Sequence, residues 1–135
     1  MGPQALVEEV GRTKTSIADR WLVAWQVRNI GQEPFEILAG RLPHSQFRAE
    51  EKQLSPKRFL LSGESTQLEL EVSCDGAAGT VVENAFLILS VRWAGQPWRV
   101  FARMRVLLDD KSGPQTTTEL VTTQRIGFST GKNES

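Results

Sequence analysis

The chain predicts an all-β fold, an immunoglobulin-like antiparallel two-sheet sandwich of about seven strands. Three observations lead there. First, residues 86–108 (FLILSVRWAGQPWRVFARMRVLL) read as a β-hairpin with alternating arms. In its second arm Trp98, Val100, Ala102, Met104, Val106 and Leu108 share one face. Arg99, Phe101, Arg103, Arg105 and Leu107 share the other. Side chains of a strand point alternately to opposite sides, so one face is buried and the other largely wet. Second, two more segments keep the same period: residues 21–28 and residues 66–74. Third, no sustained helical pattern occurs, so no crossover helix can join parallel strands. A closed barrel is the alternative architecture.

Taken in order, residues 6–17 are apolar enough for one edge strand. Trp21, Val23, Trp25 and Val27 then alternate with Leu22, Ala24, Gln26 and Arg28. Asn29, Ile30 and Gly31 end that run with turn-compatible residues. Phe35 and Ile37 follow Pro34, which suits a strand start. Residues 46–54 (QFRAEEKQL) are helix-friendly but short, and Pro56 closes them; a single helical turn or a lid over the sandwich end is expected. Residues 58–61 are a short apolar run. Gly63, Glu64 and Ser65 form a turn. Thr66, Leu68, Leu70, Val72 and Cys74 alternate with Gln67, Glu69, Glu71 and Ser73. Residues 75–80 (DGAAGT) are a flexible loop. Leu87, Leu89, Val91 and Trp93 line the inner face of the first hairpin arm, and residues 94–97 turn the chain.

Trp25, Val27, Leu70, Val72, Leu89, Val91, Val100 and Met104 share one phase and are expected to share one core. Residues 109–114 (DDKSGP) break the pattern. The expected division is therefore a β-sandwich domain over 1–110 and a polar C-terminal tail over 111–135. That tail has room for a short edge strand within residues 119–128.

Residues 21–31 (WLVAWQVRNIG) resemble the alternating V-x-N-x-G strand and turn of bacterial immunoglobulin-like, adhesion-type (CARDB-like) sandwiches. Residues 63–72 (GESTQLELEV) are similar to a turn and strand later in such domains. The resemblance spans about Trp21 to Leu108 and is one of strand phase and turn chemistry. It implies an adhesion or protein-interaction role.

Composition narrows the function. With 135 residues the chain is one ordinary domain that can bury roughly two-thirds of its unfolded surface without a disulfide or metal. Sixteen Lys and Arg balance sixteen Asp and Glu, which argues against nucleic acid or an anionic membrane as the main partner. One Cys allows no intramolecular disulfide. Residues 1–10 lack the basic head and apolar core of a secretory signal, so a cytoplasmic location is expected, with a removed signal peptide as the alternative.

Catalytic stock is small. The one His, His44, sits beside Pro43 and reads as a solvated loop residue. One His and one Cys cannot build a zinc site, and no D-x-D-x-D-G spacing supplies calcium ligands. No phosphate loop precedes a helix. Asp109 and Asp110 read as a solvated pair. No catalytic, metal or cofactor-binding residue is therefore assigned, and no cofactor is expected. A pair of carboxylates among the glutamates is the remaining route to catalysis.

Trp21, Trp25, Trp93 and Trp98 fall on apolar faces and read as core rather than as sugar-stacking platforms. The outer face of the hairpin carries Arg92, Arg99, Phe101, Arg103 and Arg105. These are the candidate interaction surface, because Arg and aromatics are enriched in interface cores. A solvated face with arginines paired to acids such as Glu36 is the plainer reading. The expected function is a non-catalytic protein-interaction or assembly module, with another protein or a second copy as partner. A carbohydrate- or nucleic-acid-binding sandwich is the alternative.

Overall fold

Eight strands and no helix make up the described part of the protein. The structure, a computed structural model, describes residues 1–127. The strands are β1 (Ala5–Lys14), β2 (Arg20–Asn29), β3 (Phe35–Pro43), β4 (Phe47–Leu60), β5 (Ser65–Cys74), β6 (Val81–Trp93), β7 (Gln96–Leu108) and β8 (Pro114–Arg125). They form one antiparallel sheet in the order β1-β2-β5-β4-β3-β6-β7-β8, curled into a nearly closed barrel.

The three segments with clean alternation become β2, β5 and the β6–β7 hairpin. The hairpin turns on Ala94 and Gly95, whose φ angles are 50° and 73°. Two residues at positive φ match the right-handed twist of the flanking strands. Pairing starts at Trp93 with Gln96 and continues to Val81 with Leu107. All eight residues expected to share a core are buried, with Trp25, Val27, Val72, Leu89, Val100 and Met104 fully covered. Trp25 of β2 meets Phe47 of β4 edge to face at 6.4 Å between ring centroids. A Cβ on Gly40 of β3 would lie 3.2 Å from Leu68 and 3.3 Å from Leu89, so leucines of β5 and β6 pack down on bare backbone.

The expected seven strands in two sheets are corrected to eight strands in one continuous sheet. β4 is the reason. It starts on β5, with Phe47 opposite Cys74 and Arg48 opposite Ser73, and then runs along β3. Residues 46–54, expected to form a helical turn or lid, are therefore mostly strand. Nine residues make a marginal helix on their own. Phe47 and Arg48 pair with β5, Arg48, Ala49, Lys52 and Gln53 pair with β3, and Phe47, Ala49 and Leu54 enter the core. Pro56 sits where β4 bulges away from β3, between Gln53 opposite Ala39 and Arg58 opposite Ile37, so its missing N–H costs no ladder bond.

The region read as a polar tail also departs from expectation. β8 has twelve residues and pairs with β7 from Leu108–Pro114 to Trp98–Arg125. Its threonines are β-branched and suit a strand. Pro114 and Thr116 turn inward and are buried. The rest of that region, residues 128–135, lies outside the described residues.

Asn29, read as a turn residue, is a fully buried pin between strand ends. Its Nδ2 donates to the carbonyls of Glu33 at 2.9 Å and Leu60 at 3.0 Å. Its Oδ1 accepts from the N–H of Gly31 at 2.9 Å. Each polar atom of the side chain is thereby satisfied, as burial requires.

Candidate functional site

The outer side of β6, β7 and β8 carries the residues singled out from the sequence. Strand phase places them: Val100, Ala102 and Met104 enter the core, so Arg99, Phe101, Arg103 and Arg105 face out. Phe101 lies between Ile88 of β6 and Thr122 of β8. Phe86 meets it edge to face at 6.4 Å. The two rings are half-buried and form the apolar centre of the face.

The arginines around this centre divide into two pairs. Arg105 Nε donates to Glu83 Oε2 at 3.3 Å. Arg103 Nε lies 3.8 Å from Glu119 Oε1. Arg92 sits in register between Glu36 and Pro97, and Arg99 between Ser90 and Gln124. Both are exposed, and neither forms an ion pair among the described residues. The acids that offset half of the face are thus Glu83 and Glu119 rather than Glu36. Glu119 was hidden from sequence reasoning because it stands in the segment read as a tail.

A second polar cluster joins β1 to β8. Glu9 Oε1 accepts from Thr116 N at 2.7 Å and from Thr116 Oγ1 at 2.9 Å. Trp25 Nε1 donates to Thr116 Oγ1 at 3.1 Å from inside the core. Arg12 donates to Glu9 at 2.9 Å and to Asp109 at 3.0 Å. Burial alone would favour the neutral guanidine, but the bonds to Asp109 and Glu9 outweigh it and hold Arg12 more firmly protonated than usual. Asp109 is not a plain solvated residue. Its Oδ1 accepts from the N–H of Gly113 at 2.8 Å and of Lys111 at 2.9 Å. Those two bonds, and then Arg12, pull its carboxyl below the usual range.

The sign of the pH effect follows. A carboxyl depressed in the folded state stabilises the fold fully above its unfolded value, here 3.8. That contribution is lost as pH falls through the lower folded value. Asp109→Asn keeps the turn geometry but not the charge. The melting temperature of the wild type should fall below about pH 4 more steeply than that of this variant. Parallel curves would remove Asp109 from the acid response.

Other candidates carry less. His44 Nδ1 accepts from the N–H of Gln46 at 3.0 Å, closing a local turn. Cys74 is buried, and burial, then Asp75 and Asp19, push its thiol up to about 11. A thiol that stays protonated is a poor nucleophile. Trp21 and Trp25 lie in the core, while Trp93 and Trp98 pack against it and meet each other edge to face at 5.5 Å. Among the described residues no group of three or more His, Cys, Asp or Glu could hold a metal ion. No helix there is long and apolar enough to cross a membrane.

No protein-family model matches the chain, and no curated protein matches it in sequence. The function must therefore be argued from the surfaces themselves. The arginine face offers a half-buried aromatic centre with the ion-paired Arg103 and Arg105 on one side and the exposed Arg99 and Arg92 toward the hairpin turn. The β1–β8 junction offers an incompletely closed sheet.

Proposed function

We propose that the chain is a non-catalytic protein-interaction or assembly domain and that Arg92, Arg99, Phe101, Arg103 and Arg105 form its contact face. One observation carries the reading: among the described residues Arg92 and Arg99 stand exposed without an acid partner, Arg99 next along the outer face from Phe101 of the Phe86–Phe101 pair and Arg92 beyond it toward the hairpin turn. Arg and aromatic side chains combine planar hydrogen bonding with large apolar area, which is why interface hot spots use them. The partner is an acidic protein surface, on a second copy or another chain.

We read the architecture as a variant of the immunoglobulin-like sandwich. β2 with β5, and β3 with β6 and β7, follow the pairing of that fold. β4 and β5 share only the pairs at Phe47 and Arg48, so this corner is nearly open. The CARDB-like kinship rests on the strand-and-turn patterns of residues 21–31 and 63–72. A cytoplasmic setting is compatible with a chain whose single thiol is buried.

The test replaces Arg92 and Arg99 by Glu together. Both are exposed, so the melt should be unchanged. Association, followed by sedimentation of the pure chain and by co-purification from the native host, should be lost in the double variant. In the wild type it should weaken with salt, because charges at a surface are screened over about 8 Å at physiological ionic strength. Full association by a folded double variant would return the face to a solvated surface.

A further inference from the structure

β1 and β8 are the two ends of the sheet, and no backbone hydrogen bond joins them among the described residues. Side chains span the junction at one end, where Glu9 takes the N–H of Thr116. Beyond that link the strands part around a groove of about 740 Å³, lined by residues 5–9, Ile30 and residues 116–121. Five residues of a strand cover about 17 Å, enough for a short extended segment.

Three features of this groove point to an occupant. Leu6, Ile30 and Leu120 line it while 42%, 54% and 48% exposed, an unusual local density of uncovered aliphatic side chains. The Oγ1 of Thr118, another lining residue, is buried without a hydrogen-bond partner. Thr116 turns its N–H to the junction, and strand alternation makes Thr118, two residues on, present its main-chain groups to the same side. An edge with free donors and acceptors is a template for another strand.

Charge selects the kind of strand. The lining contains Glu8, Glu9 and Glu119 and neither Lys nor Arg. Glu9 is held by Arg12 and Thr116, and Glu119 lies near Arg103, whereas Glu8 is exposed without an ion pair among the described residues. A second copy would set acidic rim against acidic rim. Of the chain's own residues 128–135 only Phe128 is apolar, one side chain against three exposed aliphatic ones.

We propose that this groove binds an extended segment of a partner protein by strand addition. Aliphatic residues at alternate positions cover Leu6, Ile30 and Leu120, and a Lys or Arg faces Glu8. Main-chain bonds to the open edge supply affinity, and the alternate side chains supply choice of sequence. The site is separate from the arginine face and does not rest on it.

The experiment pans a random decapeptide library, displayed on phage, against the full chain. Enriched peptides should show aliphatic residues at every second position with one Lys or Arg. A synthetic copy of the top peptide should shift amide resonances of residues 5–9 and 116–121. Leu6→Lys with Leu120→Lys should weaken it about tenfold or more while the melt stays unchanged. If that pair fails to fold, Glu8→Lys, at an exposed position, should switch selection to acidic peptides. Arg92→Glu with Arg99→Glu should bind as the wild type does. The proposal fails if no peptide is enriched or if the enriched ones lack the alternation. It fails also if binding survives in the folded leucine variant or is lost in the arginine variant. Self-association of the pure chain that shifts the same amides would assign the groove to a second copy and overturn the partner form.

Discussion

Leu89→Ala should destabilise the fold by about 2–5 kcal/mol. Leu89 is fully buried on β6, opposite Val100 of β7, and closes over Gly40 of β3. Truncation removes apolar contact and leaves a cavity that neighbours from three strands cannot all collapse into. Gln67→Ala on the exposed side of β5 is the control, because surface changes away from special features stay within about 0.5 kcal/mol. Urea unfolding of both variants measures the difference. Equal midpoints would take Leu89 out of the core.

Ending the chain at Asp110 should prevent a stable fold. The cut removes all of β8, which covers β7 along its whole length from Leu108 to Trp98. Trp25 Nε1 then loses its acceptor inside the core, and Glu9 loses both bonds from Thr116. A buried donor left unpaired costs about 1–3 kcal/mol by itself. The loop from Asp109 to Gly113 that anchors Arg12 is cut as well. These losses add to a lost ladder in a domain whose whole stability is about 5–15 kcal/mol. The freed edge of β7 would also template aggregation. The shortened chain should be insoluble or self-associate on a sizing column. A soluble monomer melting within a few degrees of the full chain would instead place the domain boundary at residue 110.

The arginine face was legible in part. Period-2 alternation assigns every residue of β7 to a side, so the outward set at Arg99, Phe101, Arg103 and Arg105 follows from counting alone. Their electrostatic state does not. Which arginines find an acid depends on strand register and on bulges. Glu83 belongs to β6 near a register shift, and Glu119 stands at another in β8. The groove at the sheet ends was not legible at all. Leu6, Ile30 and Leu120 are far apart in the chain, and only sheet order brings them together.

The same division holds for the fold. By itself the sequence determined the strand character of β2, β5, β6 and β7, the hairpin turn and the inward residues. These depend on local alternation and on the positive φ that Gly95 accepts readily. Tertiary structure alone decided that residues 47–60 are strand, that β8 belongs to the sheet, and that the sheet nearly closes instead of splitting in two. β4 lacks a clean period because its ladder with β3 shifts register twice, between Ile37 and Ala39 and between Gly40 and Leu42. β8 looks polar because threonine and glutamate suffice for a strand whose backbone a neighbour already pairs. In both, the decisive stabilisation is hydrogen bonding to strands remote in sequence, and no local pattern records that.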